Sequence, residues 1–140
     1  MKRNFEKVIW VCVSNTFEEI RVAKAIIEDL GESASGLNEF QSLMSHIQSS
    51  IKGKKNFLVL DDVWDGDYNE WEPFFLCLKN GLHGSKILVT TRNDSVARMM
   101  GSTNIIFIEQ LTEEECWSLF KRLAFFGHSF EDCERLEPIG

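Results

Sequence analysis

Two adjacent carboxylates stand at the end of a strongly apolar run in this sequence. Residues 57–64 read FLVLDDVW, so Asp61 and Asp62 directly follow four hydrophobic residues. A buried parallel strand has this composition, and open α/β sheets bind their ligands at the carboxyl ends of such strands. One carboxylate there can hold Mg²⁺, because hard cations prefer oxygen ligands, and the next can orient or deprotonate a water molecule. The pair therefore indicates chemistry on a phosphorylated nucleotide.

A second apolar run ends in an arginine. Residues 84–93 read GSKILVTTRN, and Thr90, Thr91 and Arg92 follow the hydrophobic residues. If the two strands are neighbours in a parallel sheet, Arg92 reaches the same edge as the two aspartates. A planar guanidinium suits a terminal phosphate, because its N–H groups can meet two phosphate oxygens at once. We therefore expect the aspartates and the arginine to cluster, with Trp64 nearby.

Each of these residues also has a purely structural interpretation. Asp61 and Asp62 can end a strand and cap a turn, Arg92 can pair with a neighbouring surface acid, and threonine is common in strands. The two strand ends are more informative together than either is alone. Other chemistry has less support, because the three histidines have no matched nucleophile. The four tryptophans are interpreted as core or interface anchors rather than ligand stackers.

The composition is that of an acidic globular domain. The chain has 140 residues, 44% hydrophobic and 26% charged, with a net charge of −7. These values exclude a disordered tail, and the acidic balance argues against a general nucleic-acid binder. No apolar run approaches the roughly 20 residues of a membrane helix, and the run from Val8 to Val13 is too short for a signal peptide. No CxxC pair exists, so Cys12 and Cys116 are expected to be buried free thiols in a reducing compartment, the cytoplasm.

Strands and helices alternate up to about residue 108, and helices follow. Four apolar runs predict strands, at residues 5–13, 57–60, 86–89 and 104–108. Apolar residues at helical spacing predict helices within residues 16–30, 37–51, 70–80, 93–100 and 112–126, with a further start near Ser129. Capping boxes are predicted at Thr16 with Glu19 and at Thr112 with Glu115. This order predicts an α/β layer on a parallel sheet, followed by the start of a helical unit.

These motifs, in this order, resemble the NB-ARC nucleotide-binding domain of plant NBS-LRR disease-resistance receptors, a branch of the STAND P-loop ATPases. The segment that follows the phosphate loop in that family resembles FEKVIWVCVSNTFEEIRVAKAIIEDL. The Walker B segment resembles KKNFLVLDDVWD, and the sensor strand resembles GSKILVTTRN. The opening of the first helical ARC subdomain resembles LTEEECWSLFKRLAF. Trp64 is typical of the coiled-coil class, and the resemblance covers essentially the whole chain.

The resemblance implies a role for each residue at the strand ends. Asp61 matches the aspartate associated with Mg²⁺, and Asp62 matches the acid assigned to water activation. Arg92 matches the arginine that senses the γ-phosphate, with Thr90 and Thr91 completing the sensor motif. ADP and ATP are the implied ligands: in the family, ADP holds an inactive state, and exchange for ATP drives assembly and defence signalling. The intact protein would be a slow ATPase used as a switch.

The resemblance also implies a domain organisation and its gaps. A P-loop NTPase-like parallel sheet with flanking helices is expected over residues 1–109, and the start of the first helical ARC subdomain over residues 110–140. The phosphate loop GxxxxGK(S/T) is missing, since Gly53-Lys54 follows a helix and lacks the other motif residues. The GLPL and MHD motifs are missing too. An internal fragment is therefore expected, without the strand that normally lies between residues 86–89 and 104–108.

The implied partners are nucleotide, the coiled-coil and leucine-rich-repeat portions of the receptor, and further copies of the protein on activation. Direct nucleic-acid contact and a transmembrane segment are not expected. The fragment alone is expected to bind nucleotide weakly or not at all, and to be inactive. Two alternatives stay open. One is a non-catalytic decoy that pairs with full-length receptors. The other is a stand-alone Mg²⁺-dependent phosphohydrolase built on Asp61 and Asp62, for which no further acid or nucleophile is convincing.

Overall fold

The structure, a computed structural model, describes residues 4–14 and 17–126. Its strands are β1 (Lys7–Cys12), β2 (Asn56–Asp61) and β3 (Lys86–Val89). Its helices are α1 (Glu19–Asp29), α2 (Phe40–Ile51), α3 (Tyr68–Lys79), α4 (Asp94–Met99) and α5 (Glu113–Ala124). The chain divides into two compact units, Met1–Ile105 and Ile106–Gly140, and α5 lies in the second. The predicted assignment of residues 1–109 and 110–140 to two subdomains stays a prediction.

The three strands form one parallel sheet in the order β1-β2-β3. Val11 pairs with Leu60, and Leu60 pairs in turn with Val89. Helices α1 and α2 connect the first two strands, and α3 connects the second pair, as parallel strands require. The carboxyl ends of all three strands therefore meet at one edge. The predicted α/β fold, with a parallel sheet and flanking helices, is confirmed.

One face of the sheet carries the hydrophobic core. Alternate residues of β1 and β2 point into it, since Ile9, Val11, Leu58 and Leu60 are almost fully buried. Helix α1 contacts β1 and α2, and α2 contacts α3. These helices supply the other half of the cluster through their buried apolar positions, which include Val22, Ile26, Leu43, Ile47, Trp71 and Phe74. The helix faces that carry apolar residues at helical spacing are therefore the faces that pack into the core.

The opposite face of the sheet is largely uncovered by the described residues. Val8 and Trp10 on β1 are each 57% exposed, and Leu88 on β3 is exposed as well. Of the three strands that the described residues form, only the central one is buried on both faces, with Val59 at 1% exposure. The prediction of a buried strand is therefore confirmed for β2 and wrong for one face of β1 and for most of β3. The reason is position, because β1 and β3 are the two edges of a three-stranded sheet.

Residues 104–108 form no strand, contrary to the prediction. Their apolar side chains are exposed, and Ile108 is 91% exposed. A strand exists through hydrogen bonds to a neighbour, and no described residue pairs with this run. The resemblance implies a phosphate-loop strand between this segment and the sensor strand. No described residue occupies that position. Composition alone predicts the tendency to form a strand but not its partner.

The helix starts agree with the sequence in some cases only. Helix α1 begins at Glu19 after Glu18, which makes no side-chain cap hydrogen bond. The predicted capping box requires Glu19 to be the third residue of the helix, but Glu19 is the first, so the predicted box is wrong in register. Its other member, Thr16, lies outside the described residues. The box at Thr112 and Glu115 is confirmed. The helix expected near Ser129 also lies outside the described residues.

The cysteines differ from expectation in burial. Cys12 and Cys116 are free but exposed, whereas Cys77 on α3 is free and buried. Burial raises the pKa of the Cys77 thiol to about 11. Cys12 is exposed because it follows the alternation of β1 onto the uncovered sheet face. The prediction that Cys12 and Cys116 are buried is therefore wrong.

Replacing Phe74 by alanine is expected to lower the free energy of unfolding by about 3–5 kcal/mol, the range for removing a buried aromatic side chain. Phe74 is 1% exposed. Its ring lies 5.8 Å from that of Trp71 and 5.7 Å from that of Phe40, so the cavity would open where α2 and α3 meet. Denaturant titration followed by circular dichroism measures the change. Leu76→Ala, at an exposed position of the same helix, is the control and should change stability by about 0.5 kcal/mol or less.

Candidate functional site

The candidate site lies where β2 and β3 end. Asp61 is the last residue of β2, and Asp62 follows it. Beyond β3, the Thr90 N–H donates to the Leu60 carbonyl, and the Val63 N–H donates to the Thr90 carbonyl, each at 3.0 Å. The two chain segments therefore stay side by side past the formal strand ends. The prediction that the aspartates and Arg92 meet at one edge of a parallel sheet is confirmed.

The two threonine hydroxyls bind within the protein. Thr90 Oγ1 donates to Asp61 Oδ1 at 2.5 Å and accepts the Asp62 N–H at 2.9 Å. Thr91 Oγ1 donates to the Val63 carbonyl at 2.7 Å. A hydroxyl has a single proton to donate, so both protons are already used. In this arrangement the threonines orient the carboxylates and tie the two loops together.

Asp62 has an unusual backbone. Its φ of 58° lies in the left-handed region, and no other non-glycine among residues 4–14 and 17–126 has a positive φ. Such a conformation costs on the order of 1–3 kcal/mol for most residues, although aspartate tolerates it better than most. The surrounding hydrogen bonds hold it, since its N–H donates to Thr90. The result is a carboxylate turned toward the ends of both neighbouring strands.

The Asp62 carboxylate has three side-chain neighbours. Ser14 Oγ donates to it at 3.2 Å, and an Arg92 N–H donates to it at 3.4 Å. The pKa of the Asp62 carboxyl lies below its ordinary value, first because of the polar N–H of the nearby Trp64 side chain and then because of Ser14 and Arg92, while desolvation acts the other way. The group is therefore ionised at neutral pH, as a site for a cation or a polarised water requires.

Arg92 lies on the surface of this edge. Its side chain is 72% exposed, and its guanidinium carbon lies 4.1 Å from the centre of the Trp64 ring. Arg92 pairs with a neighbouring acid, Asp62, as its structural interpretation predicts. The acid in question is itself a candidate site residue, so this contact leaves the functional interpretation open.

Sequence reasoning missed Ser14 and the role of Trp64. Ser14 follows β1 just as Asp61 and Thr90 follow their strands, and this position at a strand end is the signal that could have identified it. Arg21 helps to place it, because its guanidinium donates to the backbone carbonyls of Val13 and Ser14. Of the tryptophans predicted to be core or interface anchors, Trp71 lies in the core, whereas Trp10 and Trp64 are exposed, and an interface role for them stays a prediction.

The donor set fits a magnesium ion shared with a phosphate. Asp61 and Asp62 offer carboxylate oxygens, which Mg²⁺ prefers, but the described residues contain no group of three potential ligands that could hold a metal by themselves. Water and phosphate oxygens would have to complete the octahedron, as is usual where Mg²⁺ accompanies a nucleotide. Arg92 adds a positive charge at the same edge.

A parallel α/β sheet with an acidic pair and an arginine at its carboxyl edge is consistent with the class of P-loop NTPase-like domains. Compared with known protein families, residues 1–129 match the NB-ARC domain, and the chain belongs to that family. This is a nucleotide-binding family, and the resemblance drawn from the motifs is confirmed.

Curated relatives are plant disease-resistance proteins. The chain is 38% identical over 138 residues to disease resistance protein RGA2 of Solanum bulbocastanum, covering 98% of the chain and 14% of that protein. It is 39% identical over 137 residues to the putative disease resistance protein RGA1 of the same species, covering 97% of the chain and 14% of the relative. It is 35% identical over 144 residues to disease resistance RPP13-like protein 4 of Arabidopsis thaliana, covering all of the chain and 16% of the relative.

The chain thus corresponds to about one seventh of the length of these relatives. Its similarity to them identifies an NB-ARC segment of the plant disease-resistance type. Among the described residues, no helix combines the length and the hydropathy that crossing a membrane requires.

Proposed function

We propose that this chain forms the magnesium and γ-phosphate side of the nucleotide site in an ADP/ATP switch of plant innate immunity. The observation that carries the proposal is the cluster of Asp61, Asp62 and Arg92 at the carboxyl edge of the sheet, where Arg92 lies 3.4 Å from Asp62. The family membership and the disease-resistance relatives support the biological setting.

Each residue has a chemical task in this proposal. Asp61, oriented by the Thr90 hydroxyl, would hold Mg²⁺, which neutralises phosphate charge when bound. Asp62, held ionised, positions the attacking water and accepts its proton. Arg92 meets the terminal phosphate of ATP with its planar fork of N–H groups. Thr90 and Thr91 keep the two loops in register.

The contact between Arg92 and Asp62 suggests how the site tells ATP from ADP. In the structure the nearest anion to the guanidinium is the Asp62 carboxylate, in a single long contact. A γ-phosphate would compete with that carboxylate and offers two oxygens instead of one. With ADP the arginine would stay on Asp62, and with ATP it would transfer to the phosphate. The state of Arg92 would then report the nucleotide.

The rest of the switch lies in other parts of the receptor. A phosphate loop, a GLPL segment, a coiled-coil domain and leucine-rich repeats are the expected partners, together with further copies on activation. The proposed location is the cytoplasm, without direct nucleic-acid contact. Hydrolysis in the intact receptor is expected to be slow, and this chain alone is expected to be inactive.

The nucleotide content of an intact receptor containing this segment tests the proposal. The purified resting protein is expected to carry a stoichiometric amount of ADP, released by acid and identified by chromatography. Because the family switch rests with ADP bound, ATP should be the minor species. A well-folded receptor that carries no adenine nucleotide and binds none on addition of Mg-ATP would overturn the proposal.

The uncovered sheet face favours one alternative. Val8 and Trp10 on β1 present an exposed apolar surface, and among the described residues β1 and β3 are the two edge strands of the sheet, with open hydrogen-bonding groups. Such a surface could pair with a longer receptor, as a non-catalytic decoy would require. This alternative needs no nucleotide on the chain, and it becomes the better account if the receptor is found to bind none.

A further inference from the structure

The ring of Trp64 lies against the charged arginine of the site. Its centre is 4.1 Å from the Arg92 guanidinium carbon. It is itself half-exposed, at 52%. Because the indole is half-exposed and the arginine is 72% exposed, their contact is not core packing. We therefore look for the role of Trp64 within the candidate site.

An exposed arginine needs such a restraint. Its side chain has four rotatable bonds and loses much rotamer freedom when held in one place. The ion pair with Asp62 restrains it weakly, because the N···O distance is 3.4 Å and exposed pairs are screened by water. The aromatic face restrains it differently, since it covers the flat side of the guanidinium and leaves the N–H groups at its edge able to donate.

The backbone that carries Trp64 is fixed on both sides. The Val63 N–H donates to the Thr90 carbonyl at 3.0 Å, and Asp65 Oδ1 accepts the Phe17 N–H at 3.1 Å. These bonds tie the segment to the loop after β3 and to the loop before α1. The ring is thus presented from an anchored segment, which is what a residue that positions another one requires.

We propose that Trp64 is a positioning residue, which holds the Arg92 guanidinium by its face so that its edge stays ready for a terminal phosphate. The proposal rests on the proposed function of Arg92 and assigns Trp64 no contact with the nucleotide. The ring contact can be tested by itself, because phenylalanine at this position keeps an aromatic face and leucine removes it.

The first test is spectroscopic and needs no nucleotide. In ¹⁵N-labelled chain, the Arg92 side-chain resonance, identified by its loss in Arg92→Lys, is expected to be shifted upfield by the indole ring. Trp64→Leu should remove that shift, and Trp64→Phe should retain most of it. Trp10→Leu, at a similarly exposed indole on the uncovered sheet face, is the control and should leave it unchanged. An Arg92 resonance that is the same in Trp64→Leu as in the wild type would overturn the proposal.

The second test separates this inference from the proposed function. In an intact receptor, Trp64→Leu is expected to weaken Mg-ATP binding about 2- to 5-fold, the range for an exposed cation–π contact, with Mg-ADP unchanged and with rescue by Trp64→Phe. If Arg92→Ala weakens ATP binding and Trp64→Leu does not, the positioning role is wrong while the function of Arg92 stands. If neither variant changes ATP binding, the proposed function of Arg92 fails, and the positioning role falls with it.

Discussion

This chain alone is expected to bind Mg-ATP and Mg-ADP with dissociation constants weaker than about 1 mM, which corresponds to roughly 4 kcal/mol. P-loop proteins obtain their phosphate affinity from a ring of backbone N–H groups at a helix N-terminus and from one lysine. The sequence has no such motif. Among the described residues, Arg92 is the cation that pairs with a site carboxylate. A hydrogen bond to a charged group contributes only about 1.5–3 kcal/mol, whereas a micromolar ligand needs roughly 8.

The charges at the site strengthen this expectation. Arg92 is already paired with Asp62, so a phosphate must first displace a carboxylate. Asp61 lies beside it, and the chain as a whole carries a net charge of −7. A nucleotide triphosphate is therefore repelled unless Mg²⁺ lies between the carboxylates and the phosphates.

Isothermal titration calorimetry of the purified chain with Mg-ATP and with Mg-ADP measures the affinity. Arg98→Ala is a matched control for Arg92→Ala, because Arg98 is 74% exposed and also pairs with one carboxylate, that of Asp94. Saturable micromolar binding that Arg92→Ala abolishes and Arg98→Ala preserves would contradict the prediction. It would mean that residues outside the recognised motifs build a phosphate site.

The arrangement of the site was predictable because parallel strands impose it. Once residues 57–60 and 86–89 are read as buried strands, their carboxyl ends must fall at one edge if they pair, and the polar residues behind them must meet there. The pairing of Val59 with Leu88 satisfies that condition. Two short apolar runs with polar ends were therefore sufficient to bring Asp62 and Arg92 together.

The details that sequence missed depend on contacts between distant residues. An apolar run such as 104–108 has a high strand propensity. Its own sequence does not determine whether a neighbouring strand is present to pair with it. The same holds for Trp10, which is exposed because no described element covers that face of β1. A tryptophan looks the same in the sequence whether it is buried in the core, like Trp71, or stacked on an arginine at the site, like Trp64.

In an intact receptor, Asp61→Ala and Arg92→Ala are each expected to lower the rate of ATP hydrolysis by about 10² or more, the range for losing one electrostatic contact to the transition state. Asp61→Ala removes the carboxylate proposed to hold Mg²⁺ and leaves the Thr90 hydroxyl without its acceptor. Arg92→Ala removes the positive charge proposed to meet the γ-phosphate. Single-turnover hydrolysis and the ratio of bound ADP to ATP measure both effects.

The two variants should differ in how nucleotide binding changes. Arg92 faces only the terminal phosphate in this proposal, so Arg92→Ala should weaken ATP and spare ADP, while Asp61→Ala should weaken every nucleotide that carries Mg²⁺. Asp94→Ala and Arg98→Ala remove an exposed ion pair on α4 and should change neither the rate nor the ratio. Unchanged hydrolysis and an unchanged nucleotide ratio in both site variants would refute the assignment. The clustering of these residues would then be a structural feature, with Arg92 serving only to neutralise a carboxylate that the left-handed backbone of Asp62 places at the sheet edge.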